Sequence, residues 1–154
     1  MLHRLAWVPG ALRAALRLAD SASPPPAALG PRDGALRPCA TPDNCVRSAD
    51  RPGEPGPPPL PYLGDRAATE RAVLDAVASL PGARVVERRG DYVRAECRSR
   101  VFRFVDDLEL LFDDAARVVR YRSASRVGRS DFGVNRKRVR ALRDRLDALR
   151  GGAA

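Results

Sequence analysis

The chain has 154 residues and a formal net charge of +9, with Lys137 as its only lysine and His3 as its only histidine. These counts argue against a catalytic centre or metal site built on several histidines of one chain. No apolar run approaches the roughly 20 residues that a membrane-spanning helix needs, and the sequence predicts no cofactor.

Proline divides the chain into two parts. Thirteen of the 14 prolines lie at or before Pro61, and the run RPGEPGPPPLP over residues 51–61 favours extended polyproline II. We therefore predict a largely non-globular, disordered arm over residues 1–60, a folded domain over 61–150 and a tail over 151–154. Residues 61–134 carry a net charge of only +2, whereas residues 135–154 carry +5. This balance is not typical of a domain covered in phosphate contacts.

The first residues form an acid-poor leader, with Arg4, Arg13 and Arg17 before the first acidic residue, Asp20. An arginine-rich amphipathic segment is typical of organellar targeting or of a helix on a membrane surface. A short surface helix in an upstream extension explains the same pattern. Localisation therefore stays open between a membrane-associated, exported or organellar protein and a cytoplasmic one.

The remaining elements follow in order. Asp65 is placed to cap a helix that begins at Arg66 and ends at Pro81-Gly82. Arg89-Gly90-Asp91 is predicted to be a hairpin turn between two strands. Strands are predicted over residues 83–88, 92–98, 101–112 and 117–126, and a last helix runs from about residue 135 to Gly151-Gly152. Short turns imply an antiparallel meander. The predicted fold is α+β, a four-stranded antiparallel meander with one helix before it and one after it, in a two-layer sandwich.

Asp106 interrupts the apolar row of the third predicted strand. Phe102, Phe104, Leu108, Leu110 and Phe112 share one side of that strand, and Asp106 falls on the same side. A carboxylate there is costly unless it is paired. Either a bulge at Asp106-Asp107 shifts the register, or Asp106 has a buried arginine or backbone partner.

The segment over residues 122–138 combines hydroxyl, guanidinium and amide side chains around a strand end, a loop and a helix start. Such a segment suits an anion site, with these candidates: Arg122, Ser123, Ser125, Arg126, Asn135 and Arg138. A structural interpretation of the same residues is favoured over a ligand site. In it, Ser130 or Asp131 braces the loop, Asn135 caps the helix and Arg126 pairs with Asp106 or Asp107.

Three segments, PCATPDNCVRS (38–48), FRFVDDLELLF (102–112) and RSASRVGRSDFGVNRKRV (122–139), resemble the bacterial and plastid family of domains of unknown function 1499. Cys39-Ala40 replaces the family's usual Cys-Pro, and one extra residue precedes Asn44. The resemblance implies an α+β domain, often in membrane-associated or exported proteins, and implies no activity. Its motif residues here are Cys39, Cys45, Asp106, Asp107, Arg122, Ser123, Ser125, Arg126, Asn135 and Arg138.

Cys39 and Cys45 lie six positions apart in a proline-containing loop. They would form a disulfide in an oxidising compartment and free thiols in a reducing one. Their spacing does not match a redox Cys-x-x-Cys, and a zinc site would need further ligands. Cys97 alternates with Val93 and Ala95, which indicates a small core residue.

Three functions compete. The favoured one is a non-enzymatic binding or accessory domain whose partner is an anionic small molecule or lipid head group. The second is a small hydrolase or metal-dependent enzyme using Asp106, Asp107, Ser123 and Ser125, which lack a histidine base. The third is nucleic-acid binding by the basic C-terminal helix, for which no recognition module is evident.

Overall fold

The structure is a computed structural model that describes residues 26, 28–100 and 103–152. Its elements, in chain order, are a 3-10 helix (Pro42–Asn44), β1 (Cys45–Arg47), β2 (Leu60–Pro61), α1 (Arg66–Ala78), β3 (Ala83–Arg89), β4 (Tyr92–Arg98), β5 (Val105–Asp113), β6 (Val118–Ser125) and α2 (Val134–Gly151). The predicted α+β class is confirmed, with one helix before the meander and one after it.

The antiparallel sheet has the order β1-β6-β5-β4-β3, and β2 pairs with the same strand as β1. Strands β3 to β6 are the predicted meander. β1 and the first residue of β2 lie within residues 1–60, the stretch for which the proline distribution predicts an arm. Short strands at a sheet edge tolerate nearby proline, and residues 52–59 lie in the connection between them. The leader with Arg4, Arg13 and Arg17 lies outside the described residues.

The predicted first helix is confirmed. Asp65 Oδ1 accepts a hydrogen bond of 2.7 Å from the backbone N–H of Ala68, as an N-cap residue does. The chain then turns at Gly82, whose φ is +68°. A Cβ atom there would lie 2.1 Å from the carbonyl oxygen of Arg98. This close approach between the start of β3 and the end of β4 therefore requires glycine.

The third strand begins later than predicted. The sequence predicts it over residues 101–112, but β5 begins at Val105, and residues 101–102 lie outside the described part of the chain. Arg103 has a φ of +56°, which a strand residue does not adopt. Ser99 N donates to the backbone oxygen of Phe104 at 2.9 Å, and Phe104 N donates to Ser99 Oγ at 3.0 Å, so a loop forms there instead. Phe104 is consequently exposed rather than part of the apolar row.

The last helix is confirmed, but its cap is not the predicted one. Asn135 is the second helical residue and is fully buried, so it is not the N-cap. Asp131 caps the start of the helix instead. Its carboxylate accepts hydrogen bonds from the backbone N–H of Gly133 at 2.8 Å and of Asn135 at 2.7 Å. Leu149, near the end of this helix, is 51% exposed.

The two faces of the sheet differ in chemistry. Both helices pack on one face, called the helix face, where β5 contributes Leu108, Leu110 and Phe112 to the main core. The opposite face, called the polar face, carries Asp107 and Glu109. Part of the polar face is covered by the chain before β1, because Leu36 packs with Tyr92 and Leu111.

Candidate functional site

The structure divides the predicted anion-binding residues between the two faces of the sheet. Ser123 and Ser125 lie on the helix face, where Asn135 and Arg138 of α2 reach them. Arg122 and Arg126 belong to the polar face and bind carboxylates there. Neighbouring residues of a strand point to opposite faces. The six residues therefore do not converge on one point.

Asn135 lies at the centre of the helix-face cluster. Its Oδ1 accepts from Ser123 Oγ at 2.6 Å, and its Nδ2 donates to Asp131 Oδ2 at 2.7 Å and Ser125 Oγ at 3.0 Å. The same Nδ2 donates to the backbone oxygen of Asn44 at 3.1 Å. One buried amide thus ties the start of α2 to β6 and to the 3-10 helix.

The Asp106 irregularity is resolved by a paired arginine rather than a bulge. The register through Asp106 is unbroken with both neighbouring strands. Arg138 Nη2 donates to Asp106 Oδ2 at 2.6 Å, and Arg138 Nη1 donates to Ser123 Oγ at 2.9 Å. Cys97, opposite Asp106 in the sheet, is a buried free thiol, and burial raises its pKa to about 11.

On the polar face, Asp107 is held by two arginines. Arg126 contacts both carboxylate oxygens, with Nε to Oδ2 at 2.8 Å and Nη2 to Oδ1 at 2.9 Å, and also reaches Glu96 at 2.7 Å. Arg94 Nη1 donates to Asp107 Oδ1 at 3.0 Å. The carboxylates of Asp107 and Glu96 raise the pKa of Arg126 further above its usual range, against the opposing effect of burial. The predicted pairing of Arg126 with Asp107 is present.

Glu109 is the second carboxylate buried in the polar face. It accepts from Arg122 Nη1 at 2.8 Å, from the Tyr92 hydroxyl at 2.9 Å and from the backbone N–H of Gly30 at 2.8 Å. Burial and the Glu109 charge raise the pKa of Tyr92 well above its usual range. Glu109 therefore joins β4, β6 and the chain before β1.

These contacts assign the polar residues to internal structure. Every arginine among the six candidates binds a carboxylate, and both serines bind Asn135. Asp106 and Asp107 lie on opposite faces of β5. Within residues 26, 28–100 and 103–152, no group of three or more His, Cys, Asp or Glu side chains is placed to hold a metal ion.

A different site lies beside α2, a groove of about 720 Å³. We call it the α2 groove, and it is lined by Pro38, Cys39, Pro42, Cys45, Val46, Arg47, Pro55, Gly56, Pro57, Tyr121, Arg136, Val139, Arg140 and Arg143. Its walls combine proline, valine and tyrosine surface with one row of arginines. Arg136, Arg140 and Arg143 are spaced four and three positions apart, which places them on one side of the helix.

The walls of the groove are fixed to the domain. Cys39 and Cys45 are joined by a disulfide with an S–S distance of 2.04 Å, which holds the wall before β1. The wall after β1 is held by Pro58, whose carbonyl accepts from Arg143 Nη2 at 2.6 Å and from the Tyr121 hydroxyl at 3.3 Å. The cavity is therefore held by one disulfide and by two side-chain hydrogen bonds to the Pro58 carbonyl.

Arg136 and Arg140 differ from the arginines of the sheet. Both are exposed, and among the described residues neither forms an ion pair. Arg47, on the opposite wall, is instead paired with Asp50 and Glu54. The unpaired positive charge of the groove therefore lies on α2.

The fold and these contacts define an α+β domain whose last helix is fixed to the sheet by buried polar side chains. Residues 35–146 match the family model described as a protein of unknown function (DUF1499), and the chain belongs to this family. No curated protein and no solved structure matches the chain. In the described part, no helix is long and apolar enough to cross a membrane.

The residues of the groove were only partly visible in the sequence. The four-and-three spacing of Arg136, Arg140 and Arg143 indicates that they share one side of a helix. An ordinary solvent-exposed helix face explains such spacing equally well. The alternation of Arg122, Ser123, Ser125 and Arg126 likewise indicates two opposite faces. Nothing local indicates that Pro38 and Pro57 lie beside α2, because β1 pairs with a strand about 75 residues later.

Proposed function

We propose that this protein is a non-enzymatic binding domain that holds an amphipathic anion in the α2 groove. The carboxylate or phosphate head lies between Arg136 and Arg140, and the hydrocarbon part lies along Pro42, Val46 and Val139. The observation that carries this proposal is the pair of exposed guanidinium groups, without carboxylate partners among the described residues, beside an apolar-walled groove.

The chemistry of the groove suits such a ligand. Guanidinium groups recognise carboxylate and phosphate oxygens through paired hydrogen bonds, and side chains four apart on a helix are neighbours. Small-molecule sites of several hundred Å³ are mostly apolar, with a few polar groups that orient the ligand. An apolar chain with one charged head uses both features of this groove.

The competing functions have less support. The two serines of the enzyme hypothesis are hydrogen-bonded to Asn135, and its two aspartates are paired with arginines. The acidic side chains of the sheet offset much of the positive charge outside α2. A nucleic-acid site would therefore have to rest on the face of α2 alone.

Calorimetric titration with dodecyl phosphate tests the proposal. We expect binding to the wild-type chain and about tenfold weaker binding to Arg136→Gln/Arg140→Gln, because charge-assisted hydrogen bonds contribute about 1.5 kcal/mol or more. Arg145→Gln/Arg150→Gln is the matched control. It removes the same charge from exposed positions of α2 that do not line the groove, and it should bind as the wild type does.

Two further titrations separate the contributions. Inorganic phosphate tests the charged head group without the hydrocarbon tail, and dodecyl maltoside tests the hydrocarbon tail without the charge. Both should bind more weakly than dodecyl phosphate. Equal loss in both double variants would mean that only net charge matters and would overturn the proposal. Tighter binding of an RNA oligonucleotide, with a steep salt dependence, would favour the nucleic-acid hypothesis instead.

A further inference from the structure

The loop before α2 presents an aromatic side chain to solvent. Phe132 is 90% exposed, and Val134, two residues later, is 45% exposed. Large apolar side chains at this level of exposure are uncommon in the described part of this chain, where the other examples are Phe104 and Leu149. Phe132 and Val134 together form what we call the Phe132 tip.

The tip is held in place by its backbone. Phe132 has a φ of +52°, in the left-handed region that bulky residues rarely adopt. Asp131 fixes the turn on both sides, since its backbone N–H donates to Asp43 O at 3.2 Å and its Oδ1 accepts from Gly133 N at 2.8 Å. The Phe132 N–H also reaches Ser130 Oγ at 3.3 Å. The ring is therefore presented from a braced loop.

Positive side chains surround the tip. Arg129 precedes it, and Arg136 and Lys137 follow it in the first turns of α2; all three are exposed and form no ion pair with any described residue. The Asp131 carboxylate is turned inward to cap the helix. Asp43, an exposed acidic residue of the 3-10 helix, lies next to this loop through its backbone contact with Asp131. The surface around the two apolar side chains is thus predominantly positive.

We propose that the Phe132 tip docks the domain on an anionic lipid bilayer, with the Phe132 ring in the interfacial layer and the three cations at the head groups. A phenylalanine ring favours this layer because it buries apolar surface at the boundary between head groups and acyl chains. Each cation near an anionic surface contributes about a fivefold gain in binding. This docking goes beyond the proposed ligand site, because Phe132 does not line the α2 groove.

Co-sedimentation with vesicles of equimolar phosphatidylcholine and phosphatidylglycerol tests the docking. We expect the full chain to bind these vesicles and to bind pure phosphatidylcholine much less. Phe132→Gly should reduce vesicle binding by about tenfold or more, the loss expected when one buried aromatic side chain is removed. Glycine also suits a positive φ, so this variant should fold at least as well as the wild type.

Leu149→Ser is the matched control. It removes an exposed apolar side chain at the opposite end of α2 and should bind the vesicles as the wild type does. Phe132→Trp in a Trp7→Phe background should keep the affinity and show quenching of tryptophan fluorescence by brominated lipid.

Vesicle binding that is unchanged in Phe132→Gly would overturn the proposal and place any membrane affinity elsewhere in the chain. Self-association of the wild type that Phe132→Gly abolishes, without vesicle binding, would make the tip a contact between copies instead. Phe132→Gly should leave the affinity for dodecyl phosphate unchanged, so a failure of the docking is distinguishable from a failure of the proposed function.

Discussion

Asp106 in β5 and Arg138 in α2 form an ion pair of 2.6 Å, and each side chain is about nine-tenths buried. The pair crosses from the centre of the sheet to the first turns of the last helix, beside Asn135 and Ser123. Removing one partner leaves the other charge buried without compensation, which costs more than the intact pair contributes. The position of α2, and with it the row of groove arginines, therefore depends on this contact.

Arg138→Met should lower the free energy of unfolding by about 3 kcal/mol, as expected for a broken buried pair. Asp106→Asn/Arg138→Met should lose less than the sum of the two single changes, because no uncompensated charge then remains. Urea denaturation measures both. Arg140→Met, at an exposed position of the same helix, should change stability by less than about 0.5 kcal/mol. A loss for Arg138→Met as small as that of Arg140→Met would contradict this role.

Regular periodicity accounts for the parts of the fold that could be predicted. β4 spans the whole of the predicted strand over residues 92–98, and α1 begins after its N-cap Asp65 and ends before Pro81-Gly82, as the sequence predicts. β1 shows no such periodicity, because a strand of three residues is too short to contain a repeating hydrophobic pattern. Its pairing with β6 is a long-range contact that local sequence does not encode.

The contacts of the candidate site likewise depend on long-range packing that the local sequence does not encode. Residues 122–138, whose composition is unusual, contribute to a cluster of polar contacts around Asn135, and the Asp106 carboxylate is paired with Arg138. The pairing of each arginine with its carboxylate depends on how α2 packs across the sheet. From the sequence alone, Arg126 is a possible partner for either Asp106 or Asp107. The structure pairs Asp106 with Arg138 and Asp107 with Arg126.

The disulfide between Cys39 and Cys45 should stabilise the domain by about 2 kcal/mol, the entropy expected for closing a loop of this length in the unfolded chain. Dithiothreitol should therefore lower the urea midpoint of the wild type. It should leave that of Cys39→Ser/Cys45→Ser unchanged, since Cys97 forms no disulfide. An equal effect of the reductant on both proteins would contradict this origin of the stability.

Cys97 should be unreactive toward thiol reagents while the chain is folded. It is buried, and burial raises its pKa to about 11, so about one thiol in a thousand is ionised at pH 8. Titration with 5,5′-dithiobis(2-nitrobenzoic acid) should detect one thiol per chain in urea under non-reducing conditions and almost none without urea. Detection of three thiols in urea would mean that the chain is not crosslinked.

Asp131 links the stability of the helix start to pH. Burial raises its pKa, but the backbone N–H groups of Asn135 and Gly133 and the Asn135 amide lower it more strongly, so the pKa lies below the usual 3.8. A carboxyl group whose pKa is depressed by folding stabilises the fold above its unfolded pKa and loses that contribution as pH falls through its folded pKa. Asp131→Ala should cost about 1 kcal/mol at pH 7, as for loss of a helix cap.

The difference in unfolding free energy between wild type and Asp131→Ala should shrink as pH falls below about 4, because the protonated carboxyl accepts these hydrogen bonds less strongly than the anion does. Urea denaturation at pH 7, 4 and 3 follows this change. Asp147→Ala, at an exposed position near the other end of α2, should show no comparable pH-dependent difference. A cost for Asp131→Ala that stays constant from pH 7 to 3 would show that shape, rather than charge, makes Asp131 the cap of α2.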